Sequence, residues 1–452
     1  MERNFSLLVD LYELTMAQCY FRYKKNTLAT FDLFVRELPQ NRSYLIAAGL
    51  EDILNYIRNF EFSNEDLAYL RERKIFSPDF LKFLSALKFS GDIWAMPEGT
   101  VFFPNEPVIR VTAPIIQAQL IESFLLNTVN LQAMIASKAH RVVQAAQGKA
   151  VYDFALRRTH GRDAGIKVAR SAYIAGFAGT SNVLAGKIYK IPVAGTMAHS
   201  FVMSFKNELD SFFAYSRTFP AKTILLVDTY DVKKAIRNAI RVGLDLKKRG
   251  FRLLGIRLDS GNIVVLSKLA RKMLDAAGLT YVKIFASGNL DEFKIKDILK
   301  SGGCCDSFGV GTHMGSSVDA PALDAIYKLS EVSDENGEFL PTMKLSKGKV
   351  TYPGRKQVFR VRDKRGDFIR DILALEGERI NGKPLLVKVV DKGRLVYELP
   401  PLEKIRKYLR TNLVRFPLPL KEVTVKYKYP VAVSPGIKKL IRELSRRLSR
   451  GQ

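Results

Sequence analysis

The chain has 452 residues, 47% of them hydrophobic, with a formal net charge of +27. That length suffices for two or three domains around a large core, and the composition is that of a soluble globular protein. No apolar run reaches membrane-spanning length, and Met1-Glu2-Arg3-Asn4 lacks the basic-then-apolar pattern of a signal peptide. Three cysteines (Cys19, Cys304, Cys305) without a CxxC pair argue against a disulfide framework or a cysteine zinc site, and a reducing cytoplasm fits them. The positive excess suits polyanions: nucleic acid, membrane phosphate or phosphorylated small molecules; a hot habitat is another source of it. Residues 401–452 hold fourteen Lys/Arg against three Glu, a net of +11.

Taken in order, Leu7 to Tyr20 predicts an amphipathic helix with Asp10 as its cap, and Ala29 to Val35 an alternating strand. Tyr44 to Phe60 reads as helix. Gly91 to Thr112, punctuated by Pro97, Pro104 and Pro107, reads as a β region. Pro114 then opens a helix from Ile115 to Gln147, ended by Gly148. His140 lies within it and reads as an ordinary helix residue. From Ala150 about seven apolar runs alternate with helices: 150–154, 177–179, 191–193, 223–228, 253–258, 282–286 and 307–310. The runs do not alternate, so both faces are buried, as in a parallel sheet or barrel. Phe201 to Ser216 reads as one helix. Ala325 to Val332, Gln357 to Val361 and Leu386 to Val390 read as strands of a separate β region, and Ile437 to Leu448 as a basic amphipathic helix. The expected architecture is α/β: an irregular (β/α) barrel with a second, mainly β (α+β) domain built from N-terminal and C-terminal segments. Its parts are an N-terminal region at 1–148, the barrel at 149–321, a β region at 322–400 packing with the N-terminal domain, and a basic tail at 401–452.

In such barrels function gathers at the carboxyl ends of the strands. Those positions give Phe154, Arg157 and Arg158; Thr180 and Ser181; Thr196 and His199; Asp228; Arg257, Asp259 and Ser260; Ser287, Gly288 and Asn289; and Gly309, Gly311, Thr312 and His313. The run Gly195 to Phe201 puts His199 at a strand-to-helix junction. Two glycine-bearing loops in adjacent units suggest a phosphate site, though glycines also simply end strands. Arg257 and Asp259, two apart, could both face the mouth: Arg257 for a phosphate, Asp259 for a metal or sugar hydroxyls, or the two as a plain rim salt bridge. His160 reads as a loop residue, and His313 could line the phosphate site.

In order, the chain carries LLVDLYELTM (Leu7–Met16), FDLFVRELPQNRSYLIAAGL (Phe31–Leu50), FALRR (Phe154–Arg158), Gly195–Ser200, RLDSG (Arg257–Gly261), SGN (Ser287–Asn289) and FGVGTHM (Phe308–Met314). This set resembles nicotinate phosphoribosyltransferase, a type II phosphoribosyltransferase, from the N-terminus to about Pro321. The C-terminal region matches less clearly, and Val9 stands where the family often has Thr. The resemblance implies transfer of phosphoribosyl from phosphoribosyl pyrophosphate (PRPP) to nicotinate, forming nicotinate mononucleotide in NAD biosynthesis. It implies ATP as co-substrate through a phosphorylated His199, Mg²⁺, and a homodimer with shared sites. By the same resemblance His199, Asp259 and Arg257 are catalytic, with Asp259 on ribose or Mg²⁺. Phe154 stacks on the pyridine and Tyr12 of the other subunit covers it. Arg157, Arg257, Ser287, Gly288, Asn289, Gly309, Gly311 and Thr312 hold phosphates. Thr196 is a substrate-binding candidate. Thr180 and Ser181 stand where a nicotinamide-using relative carries an Asp, which would repel a carboxylate; Arg158 is the candidate partner for that carboxylate. Nicotinamide and quinolinate are the rival substrates. No membrane partner is expected. Nucleic acid is not expected as a main partner, since the tail lacks RNP-type or zinc-finger signatures and has few aromatics.

Overall fold

The computed structural model describes residues 4–344, 351–424 and 426–450. The chain divides into two compact units. One comprises 135–321 with 422–424; the other comprises 1–134, 322–421 and 425–452. The boundary falls inside the helix Glu122–Ala145, ahead of the glycine at 148. Among the described residues no helix is long and apolar enough to cross a membrane.

The 135–321 unit is built on a parallel sheet. Its strands are Gly179–Thr180, Ala150–Asp153, Ser307–Val310, Lys283–Ala286, Gly255–Leu258 and Ile224–Leu226, in that spatial order. A single parallel bridge from Thr180 to Val193 adds the seventh run. The seven apolar runs of the sequence are therefore all found as sheet elements, and their alternation with helices gives the expected irregular barrel. The hydrogen-bonded ladder does not close, however. Thr180 makes a full parallel pair with the seventh run, its N–H donating to the Pro192 carbonyl (3.0 Å) and its carbonyl accepting the Ala194 N–H (2.9 Å), and no pairing among the described residues joins that run to Ile224–Leu226. Helices after the strands begin at Asn182, Asp231, Asn262 and Asp291, whose side chains each accept an N–H of the first turn. The helix expected from Phe201 to Ser216 is two: His199–Met203 and Glu208–Thr218. Ser204 bonds back to the Phe201 carbonyl, and Asn207 caps the second helix.

The other unit holds a seven-stranded antiparallel sheet ordered Phe339–Pro341, Ala325–Ser333, Leu28–Val35, Ile109–Pro114, Asp92–Ala95, Val387–Asp391 and Arg394–Leu395. N-terminal and C-terminal segments thus share one sheet. Leu28–Val35 does not alternate in burial: Ala29 to Val35 are all covered. Its polar side chains find partners inside. Asp32 pairs with Lys356 at 2.7 Å, and the Thr30 hydroxyl donates to Glu331 at 2.9 Å. The stretch read as helix from Tyr44 starts as a strand, Leu45–Ile46, paired with Val101–Phe102. The helix begins only at Leu50, after Gly49 at φ +106°, a conformation that favours glycine. Likewise the helix read from Ile115 to Gln147 is interrupted at Ile121. Asp10 precedes the helix Leu11–Tyr23 but makes no side-chain cap bond. The basic segment from 401 onward is folded where described: Leu402–Leu413 buries Ile405, Leu409 and Leu413, Val431–Val433 pairs with Asp371–Leu373, and Pro435–Arg450 is helical.

Candidate functional site

At the carboxyl ends of the parallel strands the chain gathers its polar residues. Arg257 and Asp259 follow from the strand Gly255–Leu258, and two-residue spacing turns both side chains the same way. They meet: Arg257 Nη2 lies 2.6 Å from Asp259 Oδ1. Arg257 also donates through Nε to the Ser287 hydroxyl (2.8 Å) and through Nη1 to Thr196 Oγ1 (3.2 Å) and the Met197 carbonyl (3.3 Å). The Ser287 hydroxyl also donates to Asp259 Oδ1. One guanidinium therefore ties three strand ends together. Its carbon lies 5.5 Å from the centroid of the Phe154 ring.

Burial alone would push the Asp259 carboxyl up. The Ser287 hydrogen bond and the Arg257 charge outweigh it and hold the carboxyl below the usual carboxylate range. Beside it, His199 opens the short helix His199–Met203, with Nδ1 at 3.1 Å from Thr229 Oγ1 and Nε2 at 3.9 Å from Asp259 Oδ2. Asp228 completes the group. Its Oδ2 accepts from the Asp259 N–H (2.8 Å) and the Ser260 hydroxyl (2.7 Å), while its buried Oδ1 has no protein partner. Among the described residues no three His, Cys, Asp or Glu side chains form a metal cage.

The glycine loops differ in what requires them. Gly288 has φ +93°, and a Cβ there would stand 1.7 Å from the Asp259 carbonyl oxygen. Asn289 follows at φ +50°, a left-handed position asparagine tolerates. Gly309 instead makes room for rings: a Cβ would meet Phe154 at 2.8 Å and Phe285 at 2.9 Å. Gly311 lies against the Phe154 carbonyl, and Thr312 and His313 begin the short turn after it. His313 Nδ1 is 3.9 Å from Asp291 Oδ2.

Phe154 packs on Phe285 with centroids 5.6 Å apart. Arg157 and Arg158 follow on a 3-10 turn and are exposed, and His160 is exposed just beyond them. Thr180 is buried and Ser181 half-buried, both at the end of the neighbouring strand. Beneath them Asp153 is buried, its carboxyl raised by desolvation against the hydrogen bonds of Thr180 and Ala155. His140 sits within its helix, with Nδ1 2.8 Å from the Ala175 carbonyl, as a structural residue. Tyr12 belongs to the other compact unit, on the helix Leu11–Tyr23, half-exposed and hydrogen-bonded to Glu122. Sequence reasoning placed Asp228 on the rim without a role and passed over Thr229 and Asp153. The signal available for them was their position at or just past a strand end.

A parallel sheet with a histidine, an arginine–carboxylate pair and glycine-tight loops at its strand ends defines the class: an α/β enzyme with its polar residues gathered on one rim. Family models narrow it. The nicotinate phosphoribosyltransferase N-terminal domain matches residues 7–130, the nicotinate phosphoribosyltransferase family 150–357, and the nicotinate phosphoribosyltransferase C-terminal domain 379–441. A nicotinate phosphoribosyltransferase of Mycobacterium tuberculosis is 48% identical, over 96% of this chain and 92% of its own. One of Bacillus subtilis is 39% identical, over 95% and 93%. The crystal structure of human nicotinic acid phosphoribosyltransferase superposes with a TM-score of 0.86 at 29% identity, covering 96% of this chain and 99% of that one. The chain belongs to the nicotinate phosphoribosyltransferase family, and its function is that of the family, in NAD biosynthesis. The match extends well past Pro321, where the motifs in the sequence stop.

Proposed function

We propose that the strand-end rim joins nicotinate to PRPP, with ATP hydrolysis coupled through phosphorylation of His199. The observation that carries the reading is Arg257, bound at once to Asp259, Ser287 and Thr196 beside the Phe154 ring. In the reaction the pyridine nitrogen forms a bond to the anomeric carbon as the bond to pyrophosphate breaks. Phe154 offers the pyridine a flat face, and Ser181, uncharged, tolerates its carboxylate, for which Arg158 is the proposed partner. Arg257, Arg157 and the loops at Ser287–Asn289 and Gly309–Thr312 neutralise and orient the phosphates. Asp259 is held ionised next to the cationic sugar of the transition state.

His199 supplies the coupling. In the tautomer that carries its proton on Nδ1, 3.1 Å from the Thr229 hydroxyl, the Nε2 lone pair is the nucleophile. It takes the γ-phosphoryl group of ATP and ADP leaves; water later returns the imidazole and releases phosphate. A phosphoryl group there adds negative charge beside Asp259 and Arg257, and so shifts affinity for PRPP and product. Mg²⁺ would be held by Asp228, whose buried Oδ1 lacks a partner, and Asp259; it would neutralise pyrophosphate charge, with most of its ligands from substrate oxygens and water. A cytoplasmic homodimer, with Tyr12 supplied across subunits, is part of the same proposal.

The test is product formation from nicotinate, PRPP and Mg²⁺, with and without ATP, repeated with nicotinamide and quinolinate. Nicotinate alone should react, faster with ATP, and His199→Ala should lose the ATP stimulation while keeping a basal rate. Stimulation that survives in His199→Ala overturns the phosphohistidine.

A further inference from the structure

Asp153 ends its strand one residue before Phe154 and is 1% exposed. All three of its oxygens are used. Oδ1 accepts from the Ala155 N–H at 2.8 Å, Oδ2 from the Thr180 hydroxyl at 2.7 Å, and the backbone carbonyl from the Ser181 N–H at 2.8 Å. The Thr180 oxygen in turn accepts the Asn182 N–H at 3.0 Å. None of these donors is a cation. A buried carboxylate held only by neutral donors is a costly way to fill a strand end, where an apolar side chain would pack without penalty. What the carboxylate adds is a two-sided acceptor. One oxygen fixes the turn that carries Phe154 and Arg157; the other fixes the strand end that carries Ser181.

We propose that Asp153 is a positioning residue for the pyridine substrate: it locks the aromatic platform of Phe154 and the Thr180–Ser181 hydroxyls at one separation. It touches no substrate itself. The inference rests on the reading above that Phe154 and Ser181 receive the nicotinate ring. The ring is a rigid plane with its carboxylate at a fixed angle, so a platform and a hydroxyl edge that drift independently would lose it.

The test uses the full-length enzyme and two variants that remove the same bond from opposite sides. Asp153→Asn keeps the shape but can accept from only one of the two donors. Thr180→Val keeps the volume and the β-branched backbone preference but loses the hydroxyl. Each should raise the nicotinate KM about tenfold or more with the PRPP KM within about twofold, and the double variant should add no more than about twofold to the worse single. Thr180→Ser, which keeps the donor, should restore nicotinate KM to within about threefold of wild type. If Asp153→Asn does not fold, Thr180→Val and Thr180→Ser decide alone. An unchanged nicotinate KM in Thr180→Val overturns the inference. So do equal losses for both substrates with a fall in Tm, or multiplying effects in the double variant. Phe154→Ala separates the two levels. If it leaves nicotinate KM unchanged, the reading of the rim fails; if it raises KM while Thr180→Val does not, only the role of Asp153 fails.

Discussion

Replacing Gly288 by alanine isolates the geometry on which the rim depends. The new Cβ would start 1.7 Å from the Asp259 carbonyl oxygen and 2.7 Å from its carbon. Real Cβ contacts begin near 3.0 Å, so the Ser287–Asn289 loop and the Asp259 backbone must separate by about 1.3 Å. The neighbour is backbone, and no side-chain rotation relieves it. The left-handed φ of +93° adds about 1–2 kcal/mol for any residue with a Cβ. Both effects fall on Asp259 and Ser287, which hold Arg257 in place. A misplacement of about 1 Å costs on the order of 10²-fold in rate, and we expect that loss in kcat/KM for PRPP at saturating nicotinate. Gly250→Ala is the control. Gly250 follows the helix Val232–Lys248 at φ +78° with nothing within 4 Å of its would-be Cβ, so it carries the φ cost without the collision. It should lower Tm by a few degrees and leave kcat/KM within about twofold. Initial rates of nicotinate mononucleotide formation and thermal melts on both variants give the comparison. If Gly288→Ala keeps kcat/KM within about threefold of wild type, or Gly250→Ala loses as much as Gly288→Ala, the reasoning is wrong.

Two further substitutions read the electrostatics. Ser287→Ala removes a hydrogen bond that keeps the Asp259 carboxyl low, leaving mainly the Arg257 charge to oppose burial. A depressed folded pKa means the carboxylate's stabilisation is present above its unfolded pKa and lost as pH falls through the folded one; the variant moves that loss upward. The acid limb of the kcat/KM profile should shift to higher pH, and an unmoved limb counts against the pairing. In the other unit, Glu13 is buried and pushed up to about 7 by desolvation, with the Ser123 hydroxyl pulling the other way. A raised folded pKa gives stability that is complete below the unfolded pKa and is lost as pH rises through about 7. Thermal melts at acid and alkaline pH should show that decline in the wild type and a flatter response in Glu13→Gln, which still accepts from Ser123. Parallel curves for the two proteins would remove Glu13 as the source.

The strands were readable in the sequence because parallel strands buried on both faces are short, continuous apolar runs, and the helix starts because Asn182, Asp231, Asn262 and Asp291 are good caps. What escaped was set by neighbours distant along the chain. Leu28–Val35 seemed half-exposed because its polar residues are matched by Glu331 and Lys356, three hundred residues on. Where the ladder stops is a property of the assembled sheet that no single run shows. The same distinction governs the site. Strand-end position picked out Arg257 and Asp259 as a pair and Ser287 apart from them, but the coupling of the pair to Ser287 needs the order of strands in the sheet. Asp228 meets Asp259 across one adjacent pair, Asp259 meets Ser287 across the next, and Asp153 meets Thr180 across another. In these three pairs a polar side chain is held by the strand beside its own. Substitutions should therefore couple energetically along the sheet, between 228 and 259 or 153 and 180, more strongly than between near neighbours in sequence such as 257 and 260.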